Sequence, residues 1–216
     1  MDGSGGPMAT DPVRHALLIE PDGVVRDVIA RWKSRFAAKW PAARYVTHPP
    51  HATLWFGEVS DGPAIRADLA HAAATVSRFV VPVGGACVLS EIASGGTTYV
   101  LGAERVERLA LLQRRLADTV ARYRGPIADI ELPATFDRAE FHESWRRYGF
   151  PFVGDHWIPH FSVAALEPGD EAGTGHPLVA DFLSTAPPGT VSVTGVSWWR
   201  VDGDDLHRLL WLPLAD

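Results

Sequence analysis

Apolar positions along this chain follow two alternating periods, and the switches between them mark out its elements. His15-Ala16-Leu17-Leu18-Ile19-Glu20 is a short apolar run closed by Pro21-Asp22-Gly23, the pattern of a buried strand entering a turn. Val25, Val28, Ile29, Trp32, Phe36 and Trp40 then recur at helical spacing as far as Pro41, which predicts a helix over Val24–Trp40. The alternation returns at His51–Val59 and gives way to a helical pattern over Pro63–Ser77. A long β-rich run, Phe79–Ile92, is interrupted at Gly84-Gly85 and turns through Gly95-Gly96 into Thr97–Leu101. Val106, Leu109, Leu112, Leu116, Val120 and Tyr123 draw one apolar helix face that Gly125-Pro126 ends.

Ile127–His156 keeps no period and carries Pro133, Pro151 and Gly154, so it reads as a long connection or cap, with a short helix over Asp137–Tyr148. A strand around Trp157–Leu166, a helix around Pro177–Ser184 and two strands, Thr190–Val201 and Leu206–Leu214, complete the chain. The last two are joined by Asp202-Gly203-Asp204-Asp205. Two strand-and-helix sets in succession predict one two-lobed domain over 13–216, preceded by a Gly/Ser/Asp-rich tail, 1–12, expected to be disordered.

The 216 residues, 46% hydrophobic and 21% charged, can bury a core and exclude a low-complexity or fibrous chain. A net charge of −6 argues against a long electropositive track for duplex DNA, and leaves a small anion or a short RNA end as the nucleic-acid partner to consider. Only Lys33 and Lys39 of the 20 basic residues are lysine, so the cations are mostly planar guanidinium groups. Cys87 is the only cysteine, which removes disulfides and thiolate metal clusters and favours a cytoplasmic setting; its apolar neighbours predict a core position. The start of the chain lacks a signal-peptide core, and no run nears the roughly 20 apolar residues of a membrane span. A monomer without membrane contact is expected.

Two tetrapeptides share one pattern: His51-Ala52-Thr53-Leu54 and His160-Phe161-Ser162-Val163, each a histidine, any residue, a hydroxyl residue and an aliphatic, each preceded by proline. In a strand, residues i and i+2 share a face, so each imidazole stands beside its own hydroxyl while Leu54 and Val163 turn the other way into packing. Side by side, the two strands would line one cleft with two imidazoles and two hydroxyls. That set supplies a base, an acid and two donors to nonbridging oxygens for phosphodiester chemistry, without a metal or other cofactor. His156 and His160 have the i, i+4 spacing of a helical metal pair, but Pro159 between them argues against a helix.

The paired motifs resemble those of the 2H phosphoesterase superfamily, which includes bacterial 2′-5′ RNA ligase-like proteins and cyclic nucleotide phosphodiesterases. The likeness extends over most of the chain, from the strand and helix before His51-Ala52-Thr53-Leu54-Trp55-Phe56-Gly57 to Trp157-Ile158-Pro159-His160-Phe161-Ser162-Val163-Ala164, where serine replaces the commoner threonine. The resemblance implies an α+β fold of two lobes, with antiparallel sheets and flanking helices around a central cleft. It makes His51 and His160 catalytic and Thr53 and Ser162 phosphate-binding. The two histidines are farther apart in sequence than in compact members, the extra residues lying near Ile127–His156.

Trp55, Phe150, Phe152 and Trp157 are candidates for base stacking because they flank the motifs, with core filling the alternative. Arg147 and Tyr148 are candidates for a terminal phosphate, or for the C-terminus of the short helix. His48 reads as a loop histidine that faces away from His51 or sits in the Pro49-Pro50 turn. The implied activity is a metal-independent phosphodiesterase acting on 2′,3′-cyclic phosphates or 2′-5′ linkages of nucleotides or RNA ends. Ligation, a non-catalytic nucleotide-binding module, and an enzyme for a non-RNA phosphoester are the alternatives.

Overall fold

A computed structural model of the protein describes residues 13–90, 96–124, 139–167, 175–203 and 205–216. The tail expected to be disordered, the start of the expected hairpin turn at Gly95, and the first part of the 127–156 connection, as far as residue 138, lie outside the described residues.

Eight strands form one antiparallel sheet: β1 (Arg14–Ile19), β2 (Ala52–Glu58), β3 (Phe79–Ser90), β4 (Thr97–Ala103), β5 (His160–Leu166), β6 (Gly189–Val193), β7 (Gly195–Asp202) and β8 (Asp205–Pro213). Their order across the sheet is β6-β3-β4-β5-β2-β1-β7-β8. The five α-helices among the described residues are α1 (Gly23–Lys39), α2 (Pro63–Ala74), α3 (Glu107–Ala121), α4 (Ala139–Tyr148) and α5 (Pro177–Leu183). The α+β class expected from the sequence is therefore the observed one, with the two lobes joined as halves of a single sheet.

The join is narrow. β2 and β5 meet through one register pair, Ala52↔Phe161, whereas each half is held by long ladders. The sequence reads Thr190–Val201 as one strand, but the chain divides at Thr194: β6 pairs with β3 at one edge, and β7 pairs with β1 in the other half. The apolar alternation changes parity there, from Val191 and Val193 to Val196 and Trp198, but the partner each piece takes is decided only by strand pairing.

Helices cover one face. Val25, Ile29, Trp32 and Phe36 on α1 are buried, and Phe36 and Trp32 pack edge-on to Phe182 of α5, with Tyr99 of β4 beside them. On the other half, α3 presents Leu109, Leu112, Leu116, Ala117 and Val120 to the core and packs on α2, β2 and α4. Burying such stripes supplies most of a helix's stability in a globular protein. Cys87 departs from expectation: it is exposed, because past Gly84-Gly85 the outer half of β3 leaves the covered core.

The predicted cap helix forms as α4 and stops at Gly149, whose φ of 61° is left-handed and whose N–H bonds back to Trp145 O at 2.7 Å. A Cβ there would stand 2.1 Å from the Arg124 guanidinium carbon. Gly149→Ala is therefore expected to destabilise the protein by roughly 1–2 kcal/mol from the backbone alone, with displacement of Arg124 added. Urea unfolding checks this, and an unchanged midpoint would show that the turn relaxes freely.

Candidate active site

Both motifs sit at the narrow join. His160 opens β5 and His51 immediately precedes β2, and the single pair Ala52↔Phe161 fixes their relation. Running that antiparallel register one residue either way sets Thr53 opposite His160, and His51 opposite Ser162. Directly opposed residues share a face, so the four side chains meet on one surface. Burial agrees: His51, Thr53, His160 and Ser162 are half-buried, while Ala52, Leu54, Phe161 and Val163 between them are buried in the core. The structure thus brings the two histidine–hydroxyl pairs together.

The two imidazoles are held alike. Nδ1 of His51 lies 2.8 Å from Pro49 O, and Nδ1 of His160 lies 2.7 Å from Ile158 O, each a carbonyl two residues upstream. A carbonyl only accepts, so Nδ1 carries the proton in both rings and Nε2 is the nitrogen left for chemistry. Pro50 and Pro159 shape these turns, which puts a physical role behind the proline that precedes each motif.

Burial lowers both imidazole pKa values below the usual 6.5. For His51 the fall reaches about 4: desolvation leads, the Pro49 carbonyl opposes it, and positive charge at Lys33, His48 and His160 adds to it. For His160 desolvation leads and the Ile158 carbonyl opposes. The cationic neighbours thus bear on His51.

The sequence gives weak notice of those neighbours. Lys33 lies on the apolar stripe of α1, i+4 from Ile29 and i+8 from Val25, and is 4% exposed. Its Nζ donates to Tyr45 O, and burial lowers its pKa to about 8. Tyr45 holds a left-handed φ of 71°, and its ring meets that of His48 at 5.7 Å. His48 is a loop residue as expected, yet it does not face away: its ring stacks at 6.2 Å and 24° on His51. The same loop is clipped to the strand of the other motif by reciprocal backbone bonds between Arg44 and Ala165.

Gln113 is a polar residue within the apolar stripe of α3 and is fully buried. Its amide nitrogen donates to Leu54 O at 3.1 Å and Phe152 O at 3.2 Å, and its oxygen accepts Gly154 N–H at 3.2 Å. One side chain therefore ties the first motif's strand to the segment leading into the second. Arg105 adds bonds to Gly154 O and Asp155 from the other side.

Two of the flanking aromatics, Trp55 and Trp157, have roles different from the stacking suggested by the sequence. Trp55 is fully buried and its indole N–H donates to Tyr148 O; Trp157 is 4% exposed and donates to Thr53 O. They are struts under the site, because a buried ring has no face to offer a base. Phe150 and Phe152 pack edge-on to each other, with Phe141 against Phe152. Arg147 and the Tyr148 hydroxyl both bond Asp118, tying α4 to α3. No group of three or more His, Cys, Asp or Glu side chains among the described residues is placed to hold a metal ion, and no described helix is long and apolar enough to cross a membrane.

A two-lobed antiparallel sheet with a histidine–hydroxyl pair from each half at its join is the architecture of the phosphoesterase class that the motifs suggest. The model of the 2′-5′ RNA ligase superfamily matches residues 21–205, and the chain belongs to that family. Among solved structures, Escherichia coli LigT in its NADP+ complex is similar at 17% identity, with 96% of this chain and 100% of that one covered and a TM-score of 0.52. TT0787 of Thermus thermophilus is similar at 16% identity, with 93% and 97% covered and a TM-score of 0.60. At such identities the likeness is one of fold. No curated protein matches the chain by sequence.

Proposed function

We propose that the protein is a metal-independent phosphodiesterase that opens 2′,3′-cyclic phosphates, or cleaves 2′-5′ linkages, on nucleotides or short RNA ends. The observation that carries this reading is the pair of imidazoles, each tethered through Nδ1, on the same face as two hydroxyls. In the proposed step His51 Nε2 takes a proton from water as the water oxygen bonds to phosphorus. The bond from phosphorus to one ribose oxygen breaks, and His160 gives that oxygen its Nε2 proton. Thr53 and Ser162 donate to the nonbridging oxygens. His51 is given the base role because Lys33 and His48 bear on it and oppose its protonation. LigT has been crystallised with phosphate, which accords with an anion site in this fold.

Incubation with 2′,3′-cyclic mononucleotides and 2′-5′ dinucleotides in EDTA tests the reading, with products identified by mass. Nucleoside monophosphate is the expected product, and activity that vanishes in EDTA and returns with a divalent ion would overturn it. The pH profile is a second check. The base must be neutral and the acid charged, and both pKa values lie below 6.5. The bell of kcat/KM is therefore expected to peak on the acid side of that value, its limbs belonging to the pair. An alkaline optimum would count against these roles.

A further inference from the structure

Between α1 and β2 the chain from Arg44 to Pro50 forms a strap across the narrow join of the sheet. Its front end belongs to the half that carries His160. Arg44 N–H donates to Ala165 O of β5 at 3.1 Å and Arg44 O accepts Ala165 N–H at 3.0 Å, while the guanidinium pairs with Glu167 at 3.1 Å. The helix from which the strap departs, α1, packs on β5 and β6 of that same half. The far end of the strap runs directly into His51 and β2, in the other half. Two strands that share one register pair are therefore connected a second time, through the strap.

Lys33 holds the middle of the strap from beneath. Tyr45 O accepts Lys33 Nζ as well as the His48 N–H, the latter at 3.1 Å, and so closes a tight turn on the left-handed Tyr45. A non-glycine residue keeps that conformation where its surroundings fix it. The turn delivers the His48 ring to the His51 ring and the Pro49 carbonyl to His51 Nδ1 at 2.8 Å. Lys33 is 4% exposed on the apolar stripe of α1, and among the described residues no carboxylate pairs with its Nζ. Burying an ammonium without a counter-ion is expensive, and methionine would fill the same stripe without that cost. The charge points to use rather than to packing.

We propose that Lys33 is a positioning residue for the reaction: through the strap it fixes the His51 ring at the join, and its buried charge favours the neutral, proton-accepting form of that ring. This rests on the acid–base reading above and adds the residue that keeps the base in place and ready. His51 is faced by Lys33 from α1, His48 from the strap and His160 from β5, all positive when protonated, with the Arg44–Glu167 pair at the exposed outer end of the strap. Lys33 opposes protonation of His51 and is not among the groups that act on His160. Loss of its charge should make His51 easier to protonate and spare His160.

Histidine-ring NMR titration of the full chain tests this without substrate, each motif histidine being assigned by the signal lost in its alanine variant. In Lys33→Met, which nearly keeps the volume, the His51 midpoint is expected to rise by roughly 0.3–1 pH unit while that of His160 stays. Lys33→Arg, which keeps charge and donor, should titrate like wild type. On a 2′,3′-cyclic nucleotide the acid limb of kcat/KM should move to higher pH with the midpoint, and kcat should fall roughly 10- to 100-fold in Lys33→Met as the ring loses its place. An unchanged His51 midpoint in Lys33→Met overturns the proposal even if the rate falls, since a merely structural role lowers the rate without moving the titration. Should Lys33→Met fail to fold, Lys33→Gln gives the same reading. Wild type that shows the Lys33-dependent midpoint but turns over no ester overturns the acid–base reading and leaves the hold of Lys33 on His51 standing.

Discussion

His51→Ala and His160→Ala are each expected to lower turnover of a 2′,3′-cyclic nucleotide by roughly 10²–10⁴-fold, the usual worth of a positioned acid or base. Folding should be preserved in both. Each imidazole is half-buried and, among the described residues, makes one hydrogen bond, to a carbonyl of its own turn, so its removal opens no core cavity. Thr53→Ala and Ser162→Ala should cost less, because an oxyanion donor is worth at most roughly 10²–10³-fold and its partner or water can substitute. The two histidine losses should combine to less than their product, since an acid without its base has little left to assist. Initial rates on one cyclic nucleotide, with circular dichroism to confirm the fold, check all of this. Full activity in His51→Ala/His160→Ala would end the acid–base assignment.

Gln113→Leu is expected to be the most damaging single change outside the histidine motifs. It removes the partners of two buried backbone groups, Leu54 O and Gly154 N, and of the part-buried Phe152 O, while keeping side-chain volume nearly constant. An unsatisfied buried donor or acceptor costs about 1–3 kcal/mol, so a loss of roughly 3 kcal/mol or more is expected. For a domain of this size that is a Tm drop of ~6–12 °C. Activity should fall even below the melting range, because Leu54 adjoins Thr53 and the 152–154 segment leads into His160. Thermal melts and assays at low temperature separate the two effects. A Tm within about 1 °C of wild type would mean that the clamp is dispensable.

The histidine–hydroxyl pairs were legible in the sequence because their arrangement is local. A histidine and a hydroxyl two residues apart on a strand share a face whatever the rest of the chain does, and proline before each motif marks the turn that tethers the ring. The helices α1 and α3 were legible for the same reason: a long apolar stripe at helical spacing has few other uses. Lys33 and Gln113 gave a fainter signal, as polar residues inside such stripes, but a stripe does not name the carbonyl that waits for them. That depends on which strand passes beneath.

Tertiary structure alone decided what lies far apart in sequence. The meeting of β2 and β5 at one register pair, the division of the last apolar run at Thr194, and the fates of the aromatics all depend on strand pairing. Trp55 and Phe56 are neighbours, yet one is a buried strut and the other is half-buried; Trp198 and Trp199 divide in the same way. Strand alternation separates the members of each pair but does not say which of the two enters the core. The face each ring takes is set by register, and a shift of one residue exchanges core for surface, so the roles of these rings are properties of the assembled sheet.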